Sequence, residues 1–454
     1  MRSAEHANKH CRGNPGACTA CSVLHVGIDD TDSRERGMCT TYLAYRIITE
    51  LEQQGLAELL DYPWLIRLNP NIPAKTRGNG AVALHLRCKS NINKIKEIII
   101  DKIEQLAVLE DEQTHPGVVF LEGNIPRELH EFYWKAVREV VSIEDAIRLC
   151  EQLGIEYYCW KLGRGIIGAL AAVGAVLDDW TYELLVYRAL KDGKRPRRIS
   201  PLSVYRMDAA TFPQTFDNID YEHGTVLIAP RGPDPVLCGI RGEEPEVLQQ
   251  AFALLEFHEP VEGWIIFRTN QATDHHLVRK QIKDVRQYDN VILVGRVASW
   301  PRVLPGGHVL FELEDGTGKI ACIAYRETGK KFRKIVQALG PGDIVEVYGS
   351  VASYPGTVNL EKLKVLRLAK IYKEQNPRCP KCGARMHSLG KNKGFKCRNC
   401  GYTAKLEKER IELQREIAEG FYDVAPDARR HISKPVLRFG REKWLEHRRS
   451  TCSS

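Results

Sequence analysis

The chain has 454 residues, 43% hydrophobic and 27% charged, with a formal net charge of +8, enough for about three domains of ordinary globular composition. No run of about eighteen apolar residues appears, which excludes a helical membrane span, and the start lacks the apolar centre of a secretory leader. Of fourteen cysteines, four form a metal pattern and others, such as Cys88, Cys159 and Cys322, stand singly in apolar stretches. That usage suits a reducing compartment rather than a disulfide framework, and the expected location is cytoplasmic.

Residues 1–22 read as a flexible leader whose His6, His10, Cys11, Cys18 and Cys21 match no standard set of metal ligands. Val23 to Ile28 has the apolar content of a buried strand, and apolar residues from Tyr42 to Ile48 recur at helical spacing. Asp29, Asp30 and Asp32 therefore lie on a strand-to-helix connection, with Thr40 or Thr41 placed to cap the helix. Three carboxylates within four residues repel one another unless a cation compensates them, and magnesium held for a phosphorylated substrate is the usual compensation. The plainer alternative is a solvated acidic loop.

A second loop, "NPNIPAKTRGNGAV", offers Lys75, Arg77, Gly78, Asn79 and Gly80. It lacks Walker spacing, so it is either a glycine hairpin or a backbone cradle for phosphate, and the nearby acidic loop favours the cradle. The helical pattern from Ile92 to Leu109 closes a first α/β block over 23–157, and a second block covers 158–274. In "GRGIIGAL", Arg164 and its glycines fit either a phosphate contact or a tight helix start. "TFPQTFDN" is turn chemistry or, through Asp217, an acidic pocket for a cationic substrate. "CGIRGEEPEVLQQA" reads as a loop entering a helix, with Arg241 able to meet an anion there. The polar stretch 270–289 reads as a linker.

Over 288–370 the pattern changes to five short strands with one helix-like piece, "KKFRKIVQAL", between the third and fourth. That order describes an OB-fold barrel, which commonly binds oligonucleotides and also serves as a protein-binding or spacing module. Residues 376–405 follow with Cys379, Cys382, Cys397 and Cys400 as two CxxC knuckles, the spacing of a four-cysteine zinc ribbon. Four protein ligands leave zinc no open position, so the metal is structural. Residues 406–454 read as a basic, helical tail, with a helix from Leu406 to Ala418 and with Arg429, Arg430, His431 and Lys434 as candidate phosphate contacts near Trp444. From Asn376 onward 19 Lys or Arg face 9 Asp or Glu, whereas the rest of the chain carries 47 against 49. The localised excess points to an anionic polymer. Physics alone thus gives an ATP-using front half and a nucleic-acid-binding back half.

Taken in order, "GIDDTDSRERGMCTTYLA", "RLNPNIPAKTRGNGAV", "GRGIIGALAAVGA", "FPQTFDN", "GIRGE", the OB-fold, the ribbon and "ARRHISKP" resemble the archaeal tRNA(isoleucine) 2-agmatinylcytidine synthetase family, from about Leu24 to Gly440. The resemblance implies a multidomain α+β protein with a kinase-like α/β domain, a ferredoxin-like domain, a five-stranded OB-fold barrel and a C-terminal zinc ribbon. It implies a ligase that uses ATP and Mg2+ to phosphorylate the 2-oxo group of the wobble cytidine in the CAU anticodon of isoleucine tRNA. Agmatine then replaces that group, so that the tRNA reads AUA. Asp29, Asp30 and Asp32 would hold the magnesium, and Lys75, Arg77, Gly78, Asn79, Gly80 and Arg164 would contact phosphate. Thr40, or its neighbour Thr41, would be the autophosphorylated threonine of "GMCTT". Asp217 is the candidate for the agmatine guanidinium. The charged insert "SRER" and the leader depart from the family pattern. Two other readings compete: a non-catalytic single-strand-binding protein, and another ATP-dependent phosphoryl or nucleotidyl transferase acting on tRNA.

Overall fold

The computed structural model describes residues 22–76, 78–189, 196–351 and 356–444. The leader's candidate ligands and Arg77 lie outside the described residues. In chain order the first block comprises β1 (Val23–Asp29), α1 (Thr40–Gln53), β2 (Ala57–Leu59), β3 (Trp64–Arg67), β4 (Gly80–Cys88), α2 (Ile92–Leu106), β5 (Gly117–Glu122), α3 (Arg127–Arg138), α4 (Ile143–Leu153) and β6 (Glu156–Cys159). The second comprises α5 (Gly165–Val173), β7 (Thr181–Arg188), α6 (Pro201–Thr211), β8 (Thr215–Phe216), β9 (Ile219–Asp220), β10 (Thr225–Val226), β11 (Val236–Gly242), α7 (Pro245–Ala253) and β12 (Val261–Thr269).

The two blocks share one sheet, in the order β6-β5-β1-β4-β3-β12-β7-β11-β8, with β2 on β4. Pairing along it is antiparallel except at the seam, where β3 and β12 pair in parallel through Trp64 with Arg268 and Leu65 with Thr269. Burial makes the seam rigid: the core under α1 and α2, with Leu24, Val26 and Ile28, continues without interruption to Leu185, Tyr187 and Phe267 of β7 and β12. Helices α3, α4 and α5 cover the opposite face of the first block, and α6 and α7 cover the second.

Helix α5 carries the glycine-rich "GIIGALAAV" and is buried at every position but Ile167. It rests backbone to backbone on β1, since a Cβ at Gly27 would lie 2.0 Å from the Ala169 carbonyl oxygen. Its glycines serve close packing. Neither Thr40 nor Thr41 caps α1: the N-cap is Cys39, in extended conformation without a side-chain cap bond, and both threonines are already helical. Arg241 sits on β11 rather than at a helix entry, because "VLCGIRG" pairs with β7 and alternates buried and half-buried residues from Cys238 onward.

Behind this sheet lies the barrel, with strands Asn290–Val297, Val309–Glu314, Lys319–Ala324, Ile344–Val351 and Thr357–Arg367, and helix Lys330–Ala338 between the third and fourth. The first and second strands pair, as do the first and fourth, and the third runs parallel to the fifth. This is the expected OB-fold. The ribbon follows as three two-residue strands, His387–Ser388, Phe395–Lys396 and Thr403–Ala404. The helix expected over Leu406–Ala418 is absent: Glu409–Glu412 forms a strand paired with Tyr372–Gln375 at the base of the ribbon. Leu406, Leu413 and Ile417 share a helical face, but Glu409 and Arg410 interrupt it and Ile411 lies off it, so the Lys- and Glu-rich propensity had no continuous apolar face to dock. The stretch 270–289 is no free linker either, since Asn270, Gln271, Thr273, His275 and His276 are buried. The tail then returns to the front half, where Ile432 enters the core under α3 and α5.

Candidate active site

One cleft of about 860 Å³ opens where the sheet, the barrel entry and the returning tail meet. Its wall includes Asp29, Asp30, Asp32, Thr40, Lys75, Gly78, Asn79, Gly80, Arg164, Asp217 and His431. Residues from 29 to 431 thus converge on one site.

The acidic loop leaves β1 through Asp30, whose φ of +60° is in the left-handed region that Asp tolerates better than most side chains. Three donors fix its carboxylate, Arg164 Nε at 3.0 Å, the His115 backbone N–H at 3.3 Å and the Thr76 hydroxyl at 3.2 Å, and Arg164 Nη2, which donates to the Gln113 carbonyl, adds an ion-pair contact at 2.8 Å. Burial still raises its pKa, with the Arg164 charge opposing. Asp29 is compensated less, by the Asp30 amide and the Arg164 charge. Burial first, then the like charges of Asp30 and Asp32, push its pKa well up. Helix α5 presses on it: a Cβ at Gly168 would lie 1.9 Å from Asp29 Oδ2. Carboxylates crowded in this way suit a hard divalent cation, which would restore their ionised form. The Thr40 hydroxyl lies 3.0 Å from that of Thr31 at the same loop.

The charged insert joins the two loops, because Arg34 Nε donates to the Thr76 carbonyl at 3.0 Å. Lys75 donates to the Pro70 carbonyl. Burial first, then the Arg430 and Arg34 charges, brings its pKa down to about 8. Gly78 and Gly80 make room for a side chain: a Cβ there would meet Arg67 Nη1 at 2.7 and 2.9 Å. Asn79, at φ +50°, donates to the Asn69 carbonyl at 2.8 Å and holds the turn.

Asp217 is buried against the guanidiniums of Arg429 and, at 3.7 Å, Arg241. The tail cations are spent on internal partners. Arg429 also donates to Asp423 at 2.8 Å, Arg430 to Ser350 at 2.8 Å, and Lys434 to Glu442 at 3.0 Å. His431 accepts at Nδ1 from Arg241. Further along, Arg438 is fully buried between Glu243 at 2.7 Å and Asp179 at 3.1 Å. The tail is a clamp across both blocks and the barrel. The ribbon carries exposed cations at Lys381, Lys391, Lys393, Lys396 and Arg398, and the barrel carries others at Arg302, Lys319, Lys331 and Lys334. There the four cysteine sulfurs lie within 4.8 Å of one another, as a tetrahedral zinc site requires.

Sequence reasoning missed Arg67 and Glu183, which face each other across the cleft floor at 3.8 Å. Their only signal was a charge inside an otherwise apolar strand, "WLIR" and "TYELLVYR".

A kinase-like block and a ferredoxin-like block closing one cleft, with an OB-fold and a zinc ribbon behind them, define a multidomain enzyme architecture built for a nucleic-acid substrate. Family descriptions agree in order: the TiaS TCKD domain matches residues 25–162, the TiaS FLD domain 163–276, an OB-fold nucleic acid binding domain 291–366 and the TiaS C-terminal zinc ribbon domain 376–417. The isoleucine-tRNA 2-agmatinylcytidine synthetase TiaS of Pyrococcus horikoshii is 46% identical over 91% of this chain and 97% of its own, and that of Archaeoglobus fulgidus 44% over 92% and 98%. Among solved structures, the complex of TiaS with its isoleucine tRNA and ATP superposes with a TM-score of 0.85 at 43% identity, covering 92% of this chain and 97% of that one. The complex of TiaS with the same tRNA, AMPCPP and agmatine gives 0.82 at 41%, with the same coverage. The chain belongs to the TiaS family of isoleucine-tRNA 2-agmatinylcytidine synthetases.

Proposed function

We propose that this chain converts the wobble cytidine of the CAU anticodon of isoleucine tRNA into agmatidine, at the expense of ATP. The observation that carries the reading is the convergence, in one cleft, of a crowded carboxylate loop and a basic, glycine-lined loop. A triphosphate needs both. A passive single-strand-binding protein has no use for a recessed Asp29 crowded by two like charges.

In this reading a phosphoryl group passes from ATP to oxygen 2 of the cytosine. The primary amine of agmatine then attacks carbon 2, the carbon–oxygen bond breaks, and phosphate departs with the former base oxygen while the amine gives up a proton. A bound Mg2+ would polarise the phosphoryl oxygens. The carboxylates of the acidic loop, Asp29, Asp30 and Asp32, would hold it, with Asp30 kept in place by Arg164, Thr76 and the His115 amide. Lys75 neutralises phosphate charge from the facing loop, joined by Arg77, Gly78, Asn79 and Gly80. Arg164 acts on the site through Asp30. Thr40, first residue of α1 at the acidic loop, is the phosphoacceptor of "GMCTT". Asp217 receives the agmatine guanidinium in competition with Arg429. Lysines on the ribbon and the barrel surface grip the tRNA backbone. Among the described residues no helix is long and apolar enough to cross a membrane, and the unpaired buried thiols suit the cytoplasm.

The test is mass spectrometry of nucleosides from CAU isoleucine tRNA incubated with the protein, ATP, magnesium and agmatine. Cytidine gaining the mass of agmatine less water, only with ATP, is the expected result. ATP consumption with unmodified cytidine would instead point to a different transfer onto tRNA.

A further inference from the structure

We propose that His431 reads the target base, its Nε2–H donating to nitrogen 3 of the flipped-out cytosine; this rests on the function proposed above. The segment bearing it is fixed on both sides. The Ala272 amide donates to the His431 carbonyl at 2.8 Å, Ile432 is buried in the front core, and Ser433 bonds to Glu361 of the barrel. The imidazole has no freedom to choose its tautomer. A guanidinium can only donate, so Nδ1, which meets Arg241 Nη2, is the acceptor, and a neutral ring then carries its proton on Nε2. Burial first, then the Arg241 and Arg67 charges, pushes its pKa well down, so the ring stays neutral at working pH.

His431 lines the cleft, and Nδ1 is the one ring atom with a hydrogen-bond partner among the described residues. The Cδ2 edge next to Nε2 faces the glycine loop, 3.5 Å from a Cβ placed at Gly78. Among the described residues, charge around the ring is balanced. Arg67, Arg241 and Arg429 face Glu183, Asp217 and Asp423. This wall therefore suits an uncharged polar group, whereas the wall with Lys75 and the acidic loop suits a metal-bound phosphate. A neutral donor beside an uncharged pyrimidine separates cytosine, whose nitrogen 3 accepts, from uracil, whose nitrogen 3 carries hydrogen. It also leaves oxygen 2 free to take the phosphoryl group.

The experiment uses the full chain and isoleucine tRNA carrying either cytidine or 3-deazacytidine at the wobble position. Wild type should lose about 10- to 100-fold in kcat/KM on the 3-deaza tRNA, the scale of one lost hydrogen bond in the transition state. His431→Leu should lose a similar factor on normal tRNA and show no further loss on the 3-deaza tRNA, with KM for ATP unchanged. His431→Asn, whose amide can accept from Arg241 and donate onward, should recover at least about a tenth of wild-type turnover. Equal 3-deaza penalties in wild type and His431→Leu would overturn the assignment. So would a rise in KM for ATP alone, which would move His431 to the phosphates, or equal losses in the Leu and Asn variants. Wild type that forms no modified base on normal tRNA would instead overturn the function on which the inference rests.

Discussion

The acidic loop Asp29–Asp32 and the basic tail Arg429–Arg438 look alike in the sequence as short charged runs, yet they meet opposite electrostatic conditions. The tail's cations each find a buried carboxylate: Arg429 has Asp217 and Asp423, Arg438 has Asp179 and Glu243. In the acidic loop the Arg164 guanidinium goes to Asp30, and Asp29 is left with its pKa pushed up. Charge that the protein neutralises is architecture. Charge left uncompensated in a cleft is where a substrate or cofactor acts.

The largest expected effect is at Asp30, whose neutralised carboxylate is the architecture that holds the acidic loop in place. Asp30→Asn weakens the acceptor that holds Arg164, Thr76 and the His115 amide, and should lower agmatidine formation about 10³-fold, on the scale of removing a preorganised charge contact. Filter binding should show tRNA affinity retained; unaltered turnover would remove Asp30 from the mechanism.

The comparison sharpens in stability, where the two segments should respond with opposite signs. Arg438→Met leaves Glu243 buried without its guanidinium and Asp179 with Lys434 as its remaining ion-pair partner among the described residues, and should cost about 3–5 kcal/mol in urea unfolding. Asp29→Asn should cost nothing or stabilise. Its folded pKa lies above the unfolded value, so its ionisation weakens the fold as pH rises from about 4 through the raised folded value. Removing the ionisable group should flatten that loss, and added magnesium should stabilise wild type more than the variant. An Asp29→Asn protein less stable than wild type at neutral pH would break the contrast.

A smaller effect concerns Lys75, a cation needed only while protonated. With its pKa at about 8, kcat/KM for ATP, which reports the free enzyme, should fall above pH 8. Lys75→Arg should carry the alkaline limb upward; a limb that stays in place would assign it to another group. The smallest effect is expected at Arg430. Held by Glu361 and Ser350, it should on replacement by Ala change tRNA affinity by no more than about 3-fold and leave the salt slope unaltered. A slope reduced by about one would return Arg430 to a phosphate contact.

The sequence made the OB-fold legible because its strands are short, alternating and evenly spaced, and the ribbon because two CxxC knuckles have few other uses. Long motifs carried the family. The parallel seam between β3 and β12 was illegible, since two paired residues leave no periodic trace, and so the two front blocks read as separate when they share a sheet. The helix expected at Leu406–Ala418 came from Lys and Glu propensity without a sustained apolar face, and strand pairing at Glu409–Glu412 prevailed. At the site, Asp29, Asp30 and Lys75 were legible because like charges and glycines cluster locally. Arg67, Glu183 and the clamp role of the tail were not, because Arg67 meets Glu183 and Arg438 meets Asp179 across more than a hundred residues, and only the fold reveals which cations are already paired.

The central claim is that this cleft activates the base oxygen by phosphorylation. Isoleucine tRNA labelled with oxygen-18 at the 2-oxo group of its wobble cytidine, converted with unlabelled ATP and agmatine, tests it directly. The account predicts that the released phosphate carries the heavy oxygen in step with agmatidine formed. Unlabelled phosphate alongside full conversion would contradict it.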